Sequence, residues 1–281
     1  QSGRIVGING SGAAATGATA EFYRRKGYAR MPLEGPLSVA VPGEVDAWET
    51  ILKLFGSRPL ARLLEPAIGY AEAGYPIPPK LAPNFARDAK KLAAFERSAE
   101  IFLNKGRPYR EGDILVQKNL AQSLRRVASG GAQEFYRGAL GKAIVKALRD
   151  AGGLFTEEDF ARHSTEVYEP PISTTYRGYT VYATNPPSQG FLLLEILNII
   201  EGYDVKGLGH NSAELVHLMV EAKKLAYADR NRFAGDPRQV KWPLQEVVSR
   251  AWAAERRKLI DTGRAATAIP AGALAEADGD T

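Results

Sequence analysis

Tyr176-Arg177-Gly178-Tyr179-Thr180-Val181-Tyr182-Ala183-Thr184-Asn185-Pro186-Pro187-Ser188-Gln189-Gly190 is where the chain changes its period. Tyr179, Val181 and Ala183 alternate with Thr180 and Tyr182, so two faces emerge and residues 174–183 read as strand. Arg177-Gly178 supplies its turn or a bulge. Asn185 to Gly190, with two prolines, reads as a rigid loop, and an apolar helix is predicted from Phe191. Most of the remaining chain has helical spacing. So helix-heavy a segment cannot make a large sheet alone, and it needs strands from its flanks to complete an α/β core.

Working upstream, Arg4-Ile5-Val6-Gly7-Ile8 reads as a first strand, followed by small residues from Asn9 to Gly17. A strand at the very opening carries the expectation that further sequence precedes it. Leu37-Ser38-Val39-Ala40-Val41 reads as a short buried strand ended by Pro42-Gly43. Helices are predicted over 45–55, with Trp48, Ile51, Leu52 and Phe55 inward, and over 60–72, with Leu60, Leu63, Leu64, Ala67 and Ile68 inward. Others follow over 92–103, 115–128 and 140–151. Thr156, with Asp159 three residues on, signals a capped helix start. Downstream, Asn211 is the expected cap of a long helix with Leu215, Met219, Ala222 and Ala226 as its core stripe, and a last helix is predicted over 244–261. The Ala- and Gly-rich stretch 262–281 reads as a loop or linker.

The chain has 281 residues, 44% hydrophobic and 25% charged, which is ample for a packed core. Its net charge of +5 comes from short basic groups scattered along predicted helices, such as Arg24-Arg25-Lys26 and Arg256-Arg257-Lys258. That scatter speaks against a nucleic-acid face. With no cysteine, disulfides, thiol catalysis and Cys-based metal sites are excluded. No apolar run approaches the roughly 20 residues of a membrane span; the longest, from Phe191 to Ile200, is interrupted by Glu195 and Asn198.

Local motifs offer little chemistry. Gly10-Ser11-Gly12-Ala13-Ala14-Ala15 fits a dinucleotide glycine pattern, but no strand ending in an acid follows at the required distance. His163, His210 and His217 have no partners at metal-ligand spacing, and no metal or cofactor is expected. The acids between Tyr227 and Pro237 could be catalytic, but a helix end held by Asp–Arg pairs is the favoured reading. The sequence closes on Gly279-Asp280-Thr281. A threonine can serve as nucleophile when its own free amine is the base, which requires it to be the first residue of a chain. Local chemistry alone reads Thr281 as an ordinary frayed end.

An ordered set of segments goes further. It comprises Gly35-Pro36-Leu37-Ser38-Val39-Ala40-Val41-Pro42-Gly43-Glu44-Val45-Asp46-Ala47-Trp48; Leu64-Glu65-Pro66-Ala67-Ile68 with Ala71-Glu72-Ala73-Gly74-Tyr75; Phe135-Tyr136-Arg137-Gly138; Tyr176-Arg177-Gly178-Tyr179; Asn185-Pro186-Pro187-Ser188-Gln189-Gly190; and Glu221-Ala222 through Tyr227-Ala228-Asp229-Arg230 to Gly235-Asp236-Pro237. In order and spacing this set resembles the large subunit of the gamma-glutamyltranspeptidase family. The resemblance implies an α+β fold, the four-layer αββα sandwich of N-terminal-nucleophile hydrolases, with this chain supplying mostly helices and a few strands. It implies that residues 1–261 are the large-subunit portion of one such domain and that 262–281 lead to an autoprocessing junction.

The same resemblance makes Asp280-Thr281 the cleavage site and Thr281 the nucleophile of acyl transfer through an acyl-enzyme. Its implied partners are the chain's own small subunit, as a heterodimer, and a small acyl amide such as glutathione; a dimer of heterodimers stays open. It favours a periplasmic or secreted location. One departure bears on substrate. Where the family carries an Arg that holds the gamma-glutamyl carboxylate, the aligned residue is Ser11, which cannot replace a bidentate cation. The acyl donor is therefore open between a gamma-glutamyl group and another acyl amide, as in the related cephalosporin acylases. A relative that binds without catalysis also remains open.

Overall fold

The computed structural model describes residues 3–273. In chain order the elements are β1 (Gly7–Asn9), α1 (Ala20–Arg25), a 3-10 turn (Pro36–Ser38), α2 (Glu44–Phe55), α3 (Leu60–Ala73), β2 (Tyr75–Pro76), α4 (Ala82–Ala93), α5 (Glu96–Phe102), β3 (Leu103–Asn104), β4 (Arg107–Pro108) and β5 (Ile114–Leu115). There follow α6 (Lys118–Tyr136), α7 (Ala139–Asp150), α8 (Glu157–Ala161), β6 (Glu166–Tyr168), β7 (Ile172–Tyr176), β8 (Tyr179–Ala183), α9 (Gly190–Ile200), α10 (Ala213–Phe233), α11 (Leu244–Val247) and α12 (Arg250–Arg257). Among the described residues the strands pair as antiparallel twos: β1 with β6, β2 with β5, β3 with β4, and β7 with β8. Among the described residues no helix is long and apolar enough to cross a membrane.

The chain divides into two compact units, one formed by Gly10–Thr165 and the other by the residues up to Asn9 together with those from Glu166 on. In the first unit, Val41, Val45, Leu64, Val127, Tyr136, Val145, Phe155 and Phe160 form the main core. Phe155 and Phe160 meet edge to face with centroids 5.5 Å apart, an arrangement that suits their ring quadrupoles. Thr156 and Asp159 form the expected capping box on α8. The Asp159 carboxylate also accepts from the Thr16 backbone at 3.0 Å and from its hydroxyl. Burial raises the pKa of this carboxyl, but the hydrogen bonds from Thr16 and Thr156 outweigh it and hold the group below its ordinary value.

α6 runs past the expected break near residue 128 by kinking at Gly131, whose φ is 58°. The Ala132 amide freed at the kink donates to Glu49 Oε1 at 2.8 Å. A Cβ on Gly131 would lie 1.7 Å from that same oxygen, so both the backbone and the space require glycine.

Several expectations are corrected. The first strand is Gly7–Asn9 rather than a run from Arg4; Arg4 instead reaches Glu169 at 2.6 Å. Leu37–Val41 is not a strand. Pro36 fixes the first φ of a 3-10 turn, and only Ala40 bridges, to Ala14. On α2, Val45 is buried while Ile51 and Phe55 are exposed. The stretch 92–103 is the end of α4 plus α5, separated where Phe95 turns extended.

The second unit is built on the β7–β8 hairpin, whose Arg177-Gly178 turn has both residues at positive φ. α9, α10 and α12 pack with it. α9 buries Phe191, Leu192, Leu194, Ile199 and Ile200. Asn198 is fully buried and satisfied: its Oδ1 accepts from the Thr174 hydroxyl at 2.6 Å and its Nδ2 donates to Val248 O at 2.7 Å. The cap of α10 is Ser212 rather than Asn211; its hydroxyl accepts from the Leu215 amide at 3.0 Å. The buried face of α10 is Leu218, Glu221, Ala222, Leu225, Ala226 and Asp229, and Met219 is exposed. The predicted helix 244–261 is two helices, because Ser249 caps a fresh start at Arg250.

Two glycines give opposite expectations. Gly69 lies inside α3 with no atom near a prospective Cβ. Gly69→Ala should therefore raise stability by about 0.5–1 kcal/mol. Gly131→Ala should lower it by about 1–3 kcal/mol through strain and the clash with Glu49. Urea unfolding of the two variants checks both signs.

Candidate active-site framework

The glycines after β1 are used for backbone packing. A Cβ on Gly12 would lie 1.8 Å from Val41 O, and one on Gly10 would lie 2.8 Å from Ala47 Cβ. A Cβ on Gly43 would lie 1.8 Å from Gly10 O. The Val41 amide donates to Ala13 O at 2.9 Å. Protein thus fills the space a pyrophosphate would need, and the dinucleotide pattern has a packing explanation. Ser11 sits between the two glycines with its side chain exposed. Asp280 and Thr281 lie outside the described residues.

Near this loop, His163 stacks on Tyr136 with centroids 4.9 Å apart. The Tyr136 hydroxyl donates to Pro42 O at 2.7 Å, and burial pushes its pKa up to about 12. Asp46 accepts from the Thr165 amide at 2.7 Å. These groups hold backbone in place. His217 Nε2 lies 2.8 Å from Asp261 O. No group of three or more His, Asp or Glu that could hold a metal ion occurs among the described residues.

In the second unit, the acids between Tyr227 and Pro237 divide. Asp236 pairs with Arg238 at 2.8 Å on the surface. Asp229 is buried, and its partner comes from α12, not from a neighbouring Arg: Arg256 Nε lies 2.9 Å from Asp229 Oδ2, with side-chain exposures of 5% and 0%. Trp252 Nε1 lies 3.1 Å from Asp229 Oδ2 and 3.2 Å from Glu195 Oε1. Glu195 is fully buried. Burial, reinforced by the facing Asp229 carboxylate, raises its pKa far above the carboxylate range. A neutral Glu195 beside an Asp229–Arg256 pair leaves this cluster without net charge.

The remaining contacts of this cluster reach the segment 262–273. Asp229 Oδ1 accepts from the Gly272 amide at 2.6 Å, and Arg256 Nη2 donates to Pro270 O at 2.7 Å. One face further along α10, buried Glu221 accepts from Lys224 at 2.6 Å and from the Ala266 amide at 3.3 Å, while Lys224 donates to Ala266 O at 2.9 Å. Sequence reasoning missed Glu195, Glu221, Lys224, Trp252 and Arg256. The available signal was Glu195 itself, since an acid within an apolar helix run must find a partner.

The profile described as Gamma-glutamyltranspeptidase matches residues 1–281. The chain belongs to the gamma-glutamyltranspeptidase family. It is 39% identical to the Acylase ACY 1 proenzyme of Pseudomonas sp. (strain SE83) over 94% of this chain and 49% of that protein. It is also 39% identical to the Glutathione hydrolase proenzyme of Escherichia coli (strain K12), over 83% of this chain and 40% of that protein. The chain thus spans about half the length, or less, of these curated relatives. The solved structure of Helicobacter pylori gamma-glutamyltranspeptidase superposes with a TM-score of 0.90 at 31% identity, covering 97% of this chain and 80% of that one. The fold is that of the N-terminal-nucleophile hydrolases, and this gamma-glutamyltranspeptidase-family chain contributes mostly helices and a few strands to it.

Glu195 gives a pH prediction. A carboxyl whose folded pKa is raised binds its proton more tightly folded than unfolded. Its contribution is complete below the unfolded value and is lost as pH climbs from there toward the folded value. Wild type should therefore lose stability relative to Glu195→Gln as pH rises from about 5 to 8, across the ordinary carboxylate range and above it. Melting temperatures of both proteins across that range check the sign; parallel curves would contradict it.

Proposed function

We propose that this chain is the large-subunit portion, residues 1–261 with a tail 262–281, of an autoprocessing threonine-nucleophile amidohydrolase or acyltransferase. The observation that carries the reading is the family match from the first residue to the last, ending on Gly279-Asp280-Thr281. The hydroxyl of Thr281 adds to the Asp280 carbonyl. The C–N bond breaks to give an ester and a free Thr281 amine, and water releases the Asp280 carboxylate. That amine is then the base for the same hydroxyl in the second reaction. There Thr281 attacks a small acyl amide, the amine product leaves, and water or an amino acid takes the acyl group from the resulting ester. The two products of cleavage remain together as a heterodimer.

The acyl group is read as gamma-glutamyl or a related acyl. Ser11 is the residue that favours a second reading, an acylase acting on a non-glutamyl amide. A hydroxyl offers no paired cationic donors to an α-carboxylate. The relation to a protein named an acylase runs in the same direction.

Two measurements test these statements. The complete gene product should split into two subunits on a denaturing gel, and Thr281→Ala should remain a single band. An intact wild type, or a cleaved variant, would remove Thr281 from its role. Ser11→Arg should raise kcat/KM for a gamma-glutamyl anilide about 10-fold or more relative to an acyl anilide lacking the α-carboxylate, the scale of a charge-assisted hydrogen-bond pair. An unchanged ratio would exclude Ser11 from acyl selection.

A further inference from the structure

Residues 262–273 contain no helix or strand, yet their backbone is tied down at three points. Ala266 is held on both sides, its amide by Glu221 and its carbonyl by Lys224. Pro270 O receives Arg256, and the Gly272 amide reaches Asp229. Between the first two points, Ile269 packs against the core cluster that includes Ile199, Leu218 and Leu225. Gly272 also passes flat against the Trp252 indole, where a Cβ would fall 2.3 Å from Cζ2. Each of these backbone groups is bound by a charged side chain of α10 or α12. Glu221, Asp229 and Arg256 are all buried.

A loop of ordinary composition needs no such set. Buried charges are costly unless paired and hydrogen-bonded, and here each spends a bond on one short segment. Gly272 stands nine positions before Thr281. A chain fixed at Gly272 can carry a point nine residues on no farther than about 30 Å away, and limiting the reach of a tether raises the effective concentration of what it carries.

We propose that Glu221, Lys224, Asp229 and Arg256 are positioning residues for self-cleavage: a clamp that grips 266–272 by its main chain and presents the Asp280–Thr281 bond. The inference rests on the reading of that bond as the junction. The clamp acts on the precursor and takes no part in turnover of the small acyl amide.

The test follows the complete gene product through maturation. Gly272→Ala pushes the segment off Trp252 while leaving α9, α10 and α12 as they are. Its precursor should fold and should cleave about 10- to 100-fold more slowly, the scale of a small misplacement of reacting groups. Once cleaved to completion, its kcat on an acyl amide should equal wild type. A wild-type cleavage rate overturns the clamp. So does a loss of kcat that parallels the loss of cleavage, because general damage would produce it. If Gly272→Ala does not accumulate as folded precursor, Lys224 carries the test, since its side chain is 37% exposed. Lys224→Ala should slow cleavage about 10-fold and Lys224→Arg should restore it; equal rates for both overturn the proposal. Failure of the underlying reading looks different: wild type stays intact, or Thr281→Ala cleaves.

Discussion

The second unit depends on one buried ion pair, Asp229 with Arg256. Removing two charges from water is offset only when the geometry is good and the remaining lone pairs and protons are satisfied. Here the surroundings supply most of the satisfaction, leaving Arg256 Nε with its ion pair alone and Glu195 Oε2 without a hydrogen bond. Trp252 donates to the carboxylate, Gly272 binds its other oxygen, and Arg256 has Pro270 O for its Nη2. Glu195 shares the site with its pKa raised, chiefly by burial and further by the facing Asp229 carboxylate. α9, α10 and α12 each place one or more of these groups. Their mutual packing is therefore specified by polar geometry as well as by the apolar contacts of Phe191, Leu194 and Ala226 around Trp252.

The same device recurs in the first unit without the ion pair. Asp46, Glu49 and Asp159 each accept from a backbone amide that helix and sheet ladders leave over. Thr165 follows a helix end, Ala132 follows a kink, and Thr16 lies in a loop. A buried amide without a partner is costly, and a short carboxylate is a compact remedy. These three acids are thus occupied with backbone.

Period carried the sequence reading well where a segment's own pattern decides its form. The β7–β8 hairpin, the turn at Arg177-Gly178, the capping box at Thr156 and most helices were legible. Failures came where tertiary contacts override local pattern. Leu37–Val41 has strand-forming residues, but Pro36 and the close approach of Gly12 to Val41 impose another path. The stripe on α10 was right at Ala222 and Ala226 but wrong at Met219, and an apolar count discards Glu221 and Asp229, which are inside. α4 escaped notice although Pro83 lies in its first turn, a common helix start. Ser11 lies in the loop after the first strand. The set around Asp229 was not legible, because Trp252 stands 23 residues from Asp229 and 57 from Glu195 and only folding joins them.

The grip on 266–272 has a consequence for how such a segment can drift over generations. Carboxylates and guanidinium groups here read amides and carbonyls, which every residue type other than proline offers in full. Side chains along the segment are therefore nearly free to change, apart from Ile269 and the glycine under the indole. Its hold is written in main-chain geometry, so a search for invariant side chains would pass over it, and the information lies on the helices that hold it.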